Sequence, residues 1–187
     1  MEADQEIIKI LKQVVGERES FLPLHEPFFG KEEEELVKDC ITSGWVSSVG
    51  KYVDQLEVNL AAFCGVKRAI AVVNGTAALH ICLLLAGVEP GDEVIMPALT
   101  FVASANAATM ANAVPHFVDI EEATLGLDPV KLREYLIEIS ESKNGKIFNK
   151  KTGKRISAIV PMHTLGHPVR MKAVSYTHLT LPTKRIV

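Results

Sequence analysis

Apolar and polar residues alternate along this chain with two different periods. In EIIKILKQVVGER, residues 6–18, Ile7, Ile8, Leu11, Val14 and Val15 fall on one helical face. The charged run KEEEELVKDCITSG predicts a second helix, acidic in its first turn, where the peptide dipole favours carboxylates, and stopped by Gly44. YVDQLEVNLAAFCG places Val53, Leu56, Leu60 and Phe63 at helical spacing before Gly65, and these read as core positions. From residue 69 the pattern changes. Short apolar runs at 69–73, 93–96, 116–120 and 156–163 alternate with helical stretches at 77–86, 98–113 and 130–139. That alternation marks βαβ units and a largely parallel sheet, so the fold class is α/β.

Local punctuation sharpens the picture. In AVVNGTAALH the strand predicted over Ala69–Val73 meets an Asn-Gly-Thr corner that opens at once into an alanine-rich helix, ended by Gly87. First-turn amides lack intrahelical partners and the peptide dipoles leave a partial positive charge there, so such a corner attracts anions. Asp128-Pro129 caps and starts the helix VKLREYLIEI. The polar, lysine-rich ESKNGKIFNKKTGKR reads as an exposed excursion with Asn144-Gly145 and Thr152-Gly153 turns. Its TGK lacks the upstream glycine spacing of a P-loop. GWVSSVGKY, residues 44–52, is a loop that suits a flexible connection or a polar contact surface presenting Trp45.

Composition removes several classes of function. With 187 residues and 48% hydrophobic content the chain can bury a sizeable core. The 20 Lys+Arg against 23 Asp+Glu give a net charge of -3 and no basic stripe to follow a phosphate backbone, which argues against nucleic-acid binding. Cys40, Cys64 and Cys82 form no CxxC pair, so they read as buried thiols in a reducing compartment, with no zinc site and no disulfide framework. The opening MEADQE is acidic where a secretory signal is basic, and no apolar run reaches the roughly 18 residues that span a bilayer. The expected location is the cytoplasm, away from membranes.

Ligands of open α/β sheets gather at the carboxyl ends of the strands. Three stretches are placed to meet there: Asn74–Ala77, Pro97–Phe101 and Met162–Gly166, offering an anion cradle, an aromatic plane and an imidazole. Each is weak alone, since turn chemistry explains Asn-Gly, the core explains Phe101, and a structural role explains His163. Residue types and spacing point to a phosphate-bearing ligand and do not choose it.

The ordered motifs NGTAALH, GDEVIMPALTFVASANA, PHFVDI and IVPMHTLGHPV resemble the DegT/DnrJ/StrS family of nucleotide-sugar aminotransferases. PLHEPFFGKEEE, SGWVSSVGKYVDQLE and NGKIFNKKTGKRI extend the resemblance over roughly residues 20–174, with the greatest likeness to the aminotransferases of legionaminic acid and exopolysaccharide biosynthesis. The resemblance implies the aspartate-aminotransferase-like large domain, a mostly parallel sheet flanked by helices, and the cofactor pyridoxal 5'-phosphate (PLP). It implies that Gly75, Thr76 and Ala77 hold the phosphate and that Phe101 stacks on the pyridine ring, above the small residues Ala103–Ala108. It further implies transfer of an amino group from an amino acid, glutamate in the family as a whole, to a 4-keto nucleotide sugar, by a homodimer. His163 receives no catalytic role, and Asp119 reads as structural because the family uses a later aspartate for the ring nitrogen.

After HPVRMKAV the chain departs from the family. SYTHLTLPTKRIV has neither the Glu-Asp-Ala-Ala motif nor the lysine that binds PLP, and fits no helix continuation. The expectation is an N-terminal fragment whose catalytic lysine and pyridinium aspartate lie beyond the chain end, and which does not transaminate alone. Lys184 is not that lysine. The regions read as 1–65, a helical segment with a substrate or dimer loop; 66–174, the partial PLP-binding domain; and 175–187, a non-native tail. Alternatives are a PLP-dependent sugar dehydratase on the same scaffold and a non-catalytic ligand-binding fragment. No metal site is expected.

Overall fold

A computed structural model describes residues 2–16, 21, 23 and 26–180. The chain divides into two units, Met1–Ala69 and Ile70–Val187.

The first unit holds three helices, α1 (Glu2–Val15), α2 (Lys31–Ser43) and α3 (Lys51–Cys64). Gly44 and Gly65 end α2 and α3 in the left-handed conformation, where a residue without Cβ carries no penalty. Asp39 ties α2 to α3, accepting from the Tyr52 hydroxyl at 2.8 Å and pairing with Lys51 at 2.7 Å. The expectation that α3 presents core residues is not met. Leu56 and Phe63 are 55% and 90% exposed, and no residue of α2 or α3 is buried. Helical spacing fixes which residues share a face, but burial requires an opposing surface, and the described residues supply none there.

The second unit runs α4 (Gly75–Leu85), β1 (Glu93–Pro97), α5 (Val102–Met110), β2 (Val114–Val118), α6 (Pro129–Ile139), β3 (Ser140–Lys143), β4 (Lys146–Asn149), β5 (Ile156–Ile159), a 3-10 turn at Thr164–Gly166, and α7 (Met171–Thr180). Its sheet has the order β2-β1-β5, all parallel. Every residue of the central strand β1 is buried, as a strand covered on both faces requires. Its side chains alternate between two cores. Val94 and Met96 join Leu83 of α4 and Ala107 and Ala108 of α5. Ile95 joins Leu127, the α6 residues Leu132 and Leu136, and Val174 of α7. The result is a sheet between two helical layers.

Several expected boundaries move. Ala69–Val73 forms no strand, and Ile70 and Val73 stand 74% and 88% exposed. A strand needs a ladder with a neighbour, and the three sheet strands pair with one another and not with this stretch. Helix α5 begins only at Val102, because the chain first turns away from β1 through residues 98–101. β2 starts at Val114 since its register with β1 pairs Glu93 with Val114 and Pro97 with Val118. Cys64 and Cys82 are exposed and Cys40 is half-buried, against the expectation of buried thiols, because they sit on helix faces that the described residues leave uncovered. The lysine-rich excursion is a built hairpin, β3 paired antiparallel to β4, with Asn144 and Gly145 both at positive φ in its turn. Ile147 and Asn149 are buried in it, so its exposure is one-sided. Helix α7 continues through Ser175 to Thr180, past the expected break at 174. Lys184 lies outside the described residues.

Gly126 marks the tightest approach in this unit. A Cβ there would run into Cγ1 of the buried Val169. Gly126→Ala is expected to destabilise the chain by about 1–3 kcal/mol through overpacking, checked by urea denaturation. The double variant Gly126→Ala/Val169→Ala, which opens the space, recovers part of that loss if the clash is its cause.

Candidate functional site

The three parallel strands end on one side of the sheet, at Pro97, Val118 and Ile159. From β1 the chain moves to β2 on one flank, then returns to place β5 on the other. The strand order therefore reverses between β1 and β5, the kind of position at which open α/β sheets bind their ligands. The loop 98–101 leaves β1 toward α5, and 160–163 leaves β5.

Those two loops touch through Met162. Its sulfur accepts from the Phe101 backbone N–H and from the Thr100 hydroxyl, each at 3.0 Å. Thr100 Oγ1 also lies 3.0 Å from Oγ of the buried Ser104. Thr100 is the donor toward both Ser104 Oγ and the Met162 sulfur, and a hydroxyl has one proton, so the two acceptors share it. The Phe101 carbonyl accepts from Ser104 N–H at 3.0 Å, closing the first turn of α5. Phe101 is 66% exposed, an aromatic side chain at the carboxyl end of β1.

Helix α4 packs with α5 over the same face of the sheet, and its C-terminus feeds the start of β1. Its N-terminus therefore lies toward the carboxyl ends of the strands. Asn74 caps it, with Oδ1 accepting from Ala77 N–H at 2.9 Å. The Gly75 and Thr76 amides precede the first intrahelical donor, Ala78, and have no acceptor among the described residues. A Cβ on Gly75 would meet nothing within 4 Å, so that backbone edge is open to an approaching group. Of the three expected phosphate-binding residues, Gly75 and Thr76 thus offer open amides, while the Ala77 amide is occupied by its own cap.

His163 closes the turn that follows, its Nδ1 accepting from Val169 N–H at 3.2 Å. The lone pair on that nitrogen puts the neutral ring's proton on Nε2. Asp119, just past β2, accepts from Ile120 N–H at 2.9 Å and pairs with Lys131. The Lys131 ammonium, then the Ile120 amide, hold its carboxyl below the ordinary range. Both residues are engaged locally.

Charge is concentrated at the opposite end of the sheet. Glu93, where β1 begins, accepts from Thr152 Oγ1 at 2.6 Å, Asn149 Nδ2 at 2.9 Å and His116 Nδ1 at 2.8 Å, with the other nitrogen of His116 3.0 Å from the Tyr135 hydroxyl. Burial pushes the Glu93 carboxyl up, but the three hydrogen bonds outweigh it and hold the group below its usual value. This network anchors the β3–β4 hairpin and lies at the other end of the strands from the loops 98–101 and 160–163. Among the described residues no group of three or more His, Cys, Asp or Glu could hold a metal ion, and no helix is long and apolar enough to cross a membrane.

Thr100 and Met162 fall in the stretches Pro97–Phe101 and Met162–Gly166 expected to meet at the strand ends, and Ser104 in the small-residue stretch Ala103–Ala108; what sequence reasoning did not give is that these side chains bond to one another.

Over 134 residues the chain is 40% identical to the GDP-perosamine synthase of Caulobacter vibrioides, covering 72% of this chain and 32% of that protein. Over 161 residues it is 40% identical to the spore coat polysaccharide biosynthesis protein SpsC of Bacillus subtilis, covering 86% and 37%. Among solved structures, NtdA of Bacillus subtilis with bound cofactor PMP superposes with a TM-score of 0.65 at 26% identity, over 94% of this chain and 41% of that one. The chain spans about a third of the length of the curated relatives it matches. Residues 27–178 match the DegT/DnrJ/EryC1/StrS aminotransferase family, and the chain belongs to that family.

Proposed function

We propose that the protein is a PLP-dependent sugar aminotransferase, moving an amino group from an amino acid, glutamate, to a 4-keto nucleotide sugar in surface polysaccharide biosynthesis. Family membership supports this, as do relatives whose names carry perosamine synthesis and spore coat polysaccharide biosynthesis. The observation that carries it is the pairing, at one end of the sheet, of open helix-start amides with an exposed aromatic face.

These residues fit PLP. The Gly75 and Thr76 amides and the Thr76 hydroxyl would bind the phosphate, and the Ala77 amide completes the cradle by exchanging Asn74 for a phosphate oxygen. Phe101 would stack on the pyridine ring and set its tilt. PLP, when bound, supplies the electron sink for amino transfer. The protein works as a cytoplasmic homodimer, with the Trp45–Tyr52 loop at the subunit contact and no nucleic acid or membrane involved.

Direct assay of the full-length product of the gene tests this reading, with PLP, 15N-labelled glutamate and a GDP-linked 4-keto-6-deoxy sugar; the 187-residue chain by itself is expected to form no product. The expected product is a 15N-amino sugar nucleotide, read by mass spectrometry, and a dehydrated sugar without nitrogen would replace the reading with a dehydratase. In parallel, pyridoxine 5'-phosphate, which has the ring and phosphate but no aldehyde, should bind the chain more tightly than inorganic phosphate. Phe101→Ala should remove about 3- to 10-fold of that preference, the worth of one aromatic stack.

A further inference from the structure

We propose that Met162 is a positioning residue for the cofactor platform, its thioether fixing the backbone of Phe101 and so the direction of the ring. The proposal rests on the reading of Phe101 as the pyridine-stacking residue.

Phe101 presents most of its ring to solvent, so packing on the ring does little to set where it points. What sets it is the backbone from which the side chain leaves, held at both ends. The carbonyl is held by the first turn of α5, through Ser104 N–H. The N–H, which precedes the helix and has no intrahelical acceptor, is held by the Met162 sulfur. The residue is fixed with φ -70 and ψ 139, the extended entry to a helix. Met162 comes from the loop after β5, 61 positions along the chain. Its one sulfur also takes the Thr100 hydroxyl, so two consecutive residues of the loop 98–101 are bound to the same atom. The loop's other tie outside β1 and α5 is at its start, where Ala98 N–H donates to the Val118 carbonyl at 2.9 Å, so Met162 is what holds its Thr100–Phe101 end across the sheet. A thioether suits the place because it is unbranched, packs as an apolar group, and still offers lone pairs to two donors. Leucine copies its bulk and offers none.

The test begins with the chain free of ligand. Hydrogen exchange at the Phe101 amide, followed by NMR, should accelerate about fivefold to tenfold in Met162→Leu, the effect of losing one hydrogen bond. Met162→Gln, which returns an acceptor, should recover part of the protection. Unchanged exchange in Met162→Leu overturns the proposal. If Met162→Leu does not fold, Met162→Gln decides: exchange that follows the strength of the substituted acceptor supports the contact, and exchange indifferent to it overturns it.

The second arm uses two probes, pyridoxine 5'-phosphate and inorganic phosphate. Met162→Leu should weaken the first about threefold to fivefold and leave the second unchanged, and in a Phe101→Ala background it should have no further effect. Equal weakening of both probes, or the same loss without Phe101, shows that Met162 acts through the general fold and overturns the positioning role. A parent chain that binds both probes alike refutes the pyridine reading of Phe101, while amide exchange separately decides whether Met162 holds its backbone.

Discussion

Arg155→Ala is expected to destabilise the chain by about 3–5 kcal/mol, the cost of leaving a buried charge without its partner. Arg155 immediately precedes β5, and Asp92 immediately precedes β1. The guanidinium Nε lies 2.9 and 3.0 Å from the two Asp92 carboxylate oxygens, while Nη2 pairs with Asp92 and donates to the Gly87 carbonyl at 2.6 Å. The Arg155 carbonyl in turn accepts from Glu93 N–H at 2.7 Å. One residue thus joins the starts of two parallel strands and the end of the α4 segment. Burial pushes the Asp92 carboxyl up, but Arg155 and the Glu89 amide outweigh it and hold the group below the usual carboxylate range. Since a domain's whole stability is about 5–15 kcal/mol, the loss should be plain in urea denaturation. Arg155→Lys should restore only part of it, because an ammonium cannot reproduce the two-pronged contact. A loss below about 1 kcal/mol would show that solvent replaces the guanidinium and that the pair behaves as a surface one.

Glu93→Gln should cost about 2–3 kcal/mol, within the range for buried donors left without acceptors. An amide presents one acceptor oxygen to donors from Thr152, Asn149 and His116, and its NH2 group faces at least one of them. The effect should depend on pH with a definite sign. The folded-state pKa of Glu93 is depressed, so its contribution is complete above the ordinary glutamate value of about 4.3 and is lost as pH falls through the folded value. The stability difference between the parent chain and Glu93→Gln should therefore be fully present above about pH 5 and shrink as pH falls below the ordinary glutamate value toward the depressed folded one. A difference that widens in acid would mean that the carboxyl is protonated in the fold. The hairpin should loosen first, because Asn149 and Thr152 attach it to the sheet through this one side chain.

Element types in the second unit were largely legible in the residues. Asp128-Pro129 caps α6 as read, with Asp128 Oδ1 accepting from Val130 and Lys131 N–H. Asn74 caps α4, and the apolar run at β1 is a strand buried on both faces. These features are local, depending on side chains within three or four positions of the backbone they satisfy, or on the two-residue period of a strand. The candidate site was legible to the same depth: the helix-start corner and Phe101 are one-segment features.

Tertiary structure alone decided the rest. Ala69–Val73 has the composition of a strand and is not one, because a ladder requires a neighbour that composition cannot name. Leu56 and Phe63 have core spacing and lie exposed, because periodicity gives a face and not what covers it. Pairing Glu93 with Thr152 and Asn149, Asp92 with Arg155, and Phe101 with Met162 joins residues 56 to 63 positions apart. Nothing local chooses such partners. The strand order β2-β1-β5 does, by bringing separate strand starts together at one end of the sheet and separate strand ends together at the other.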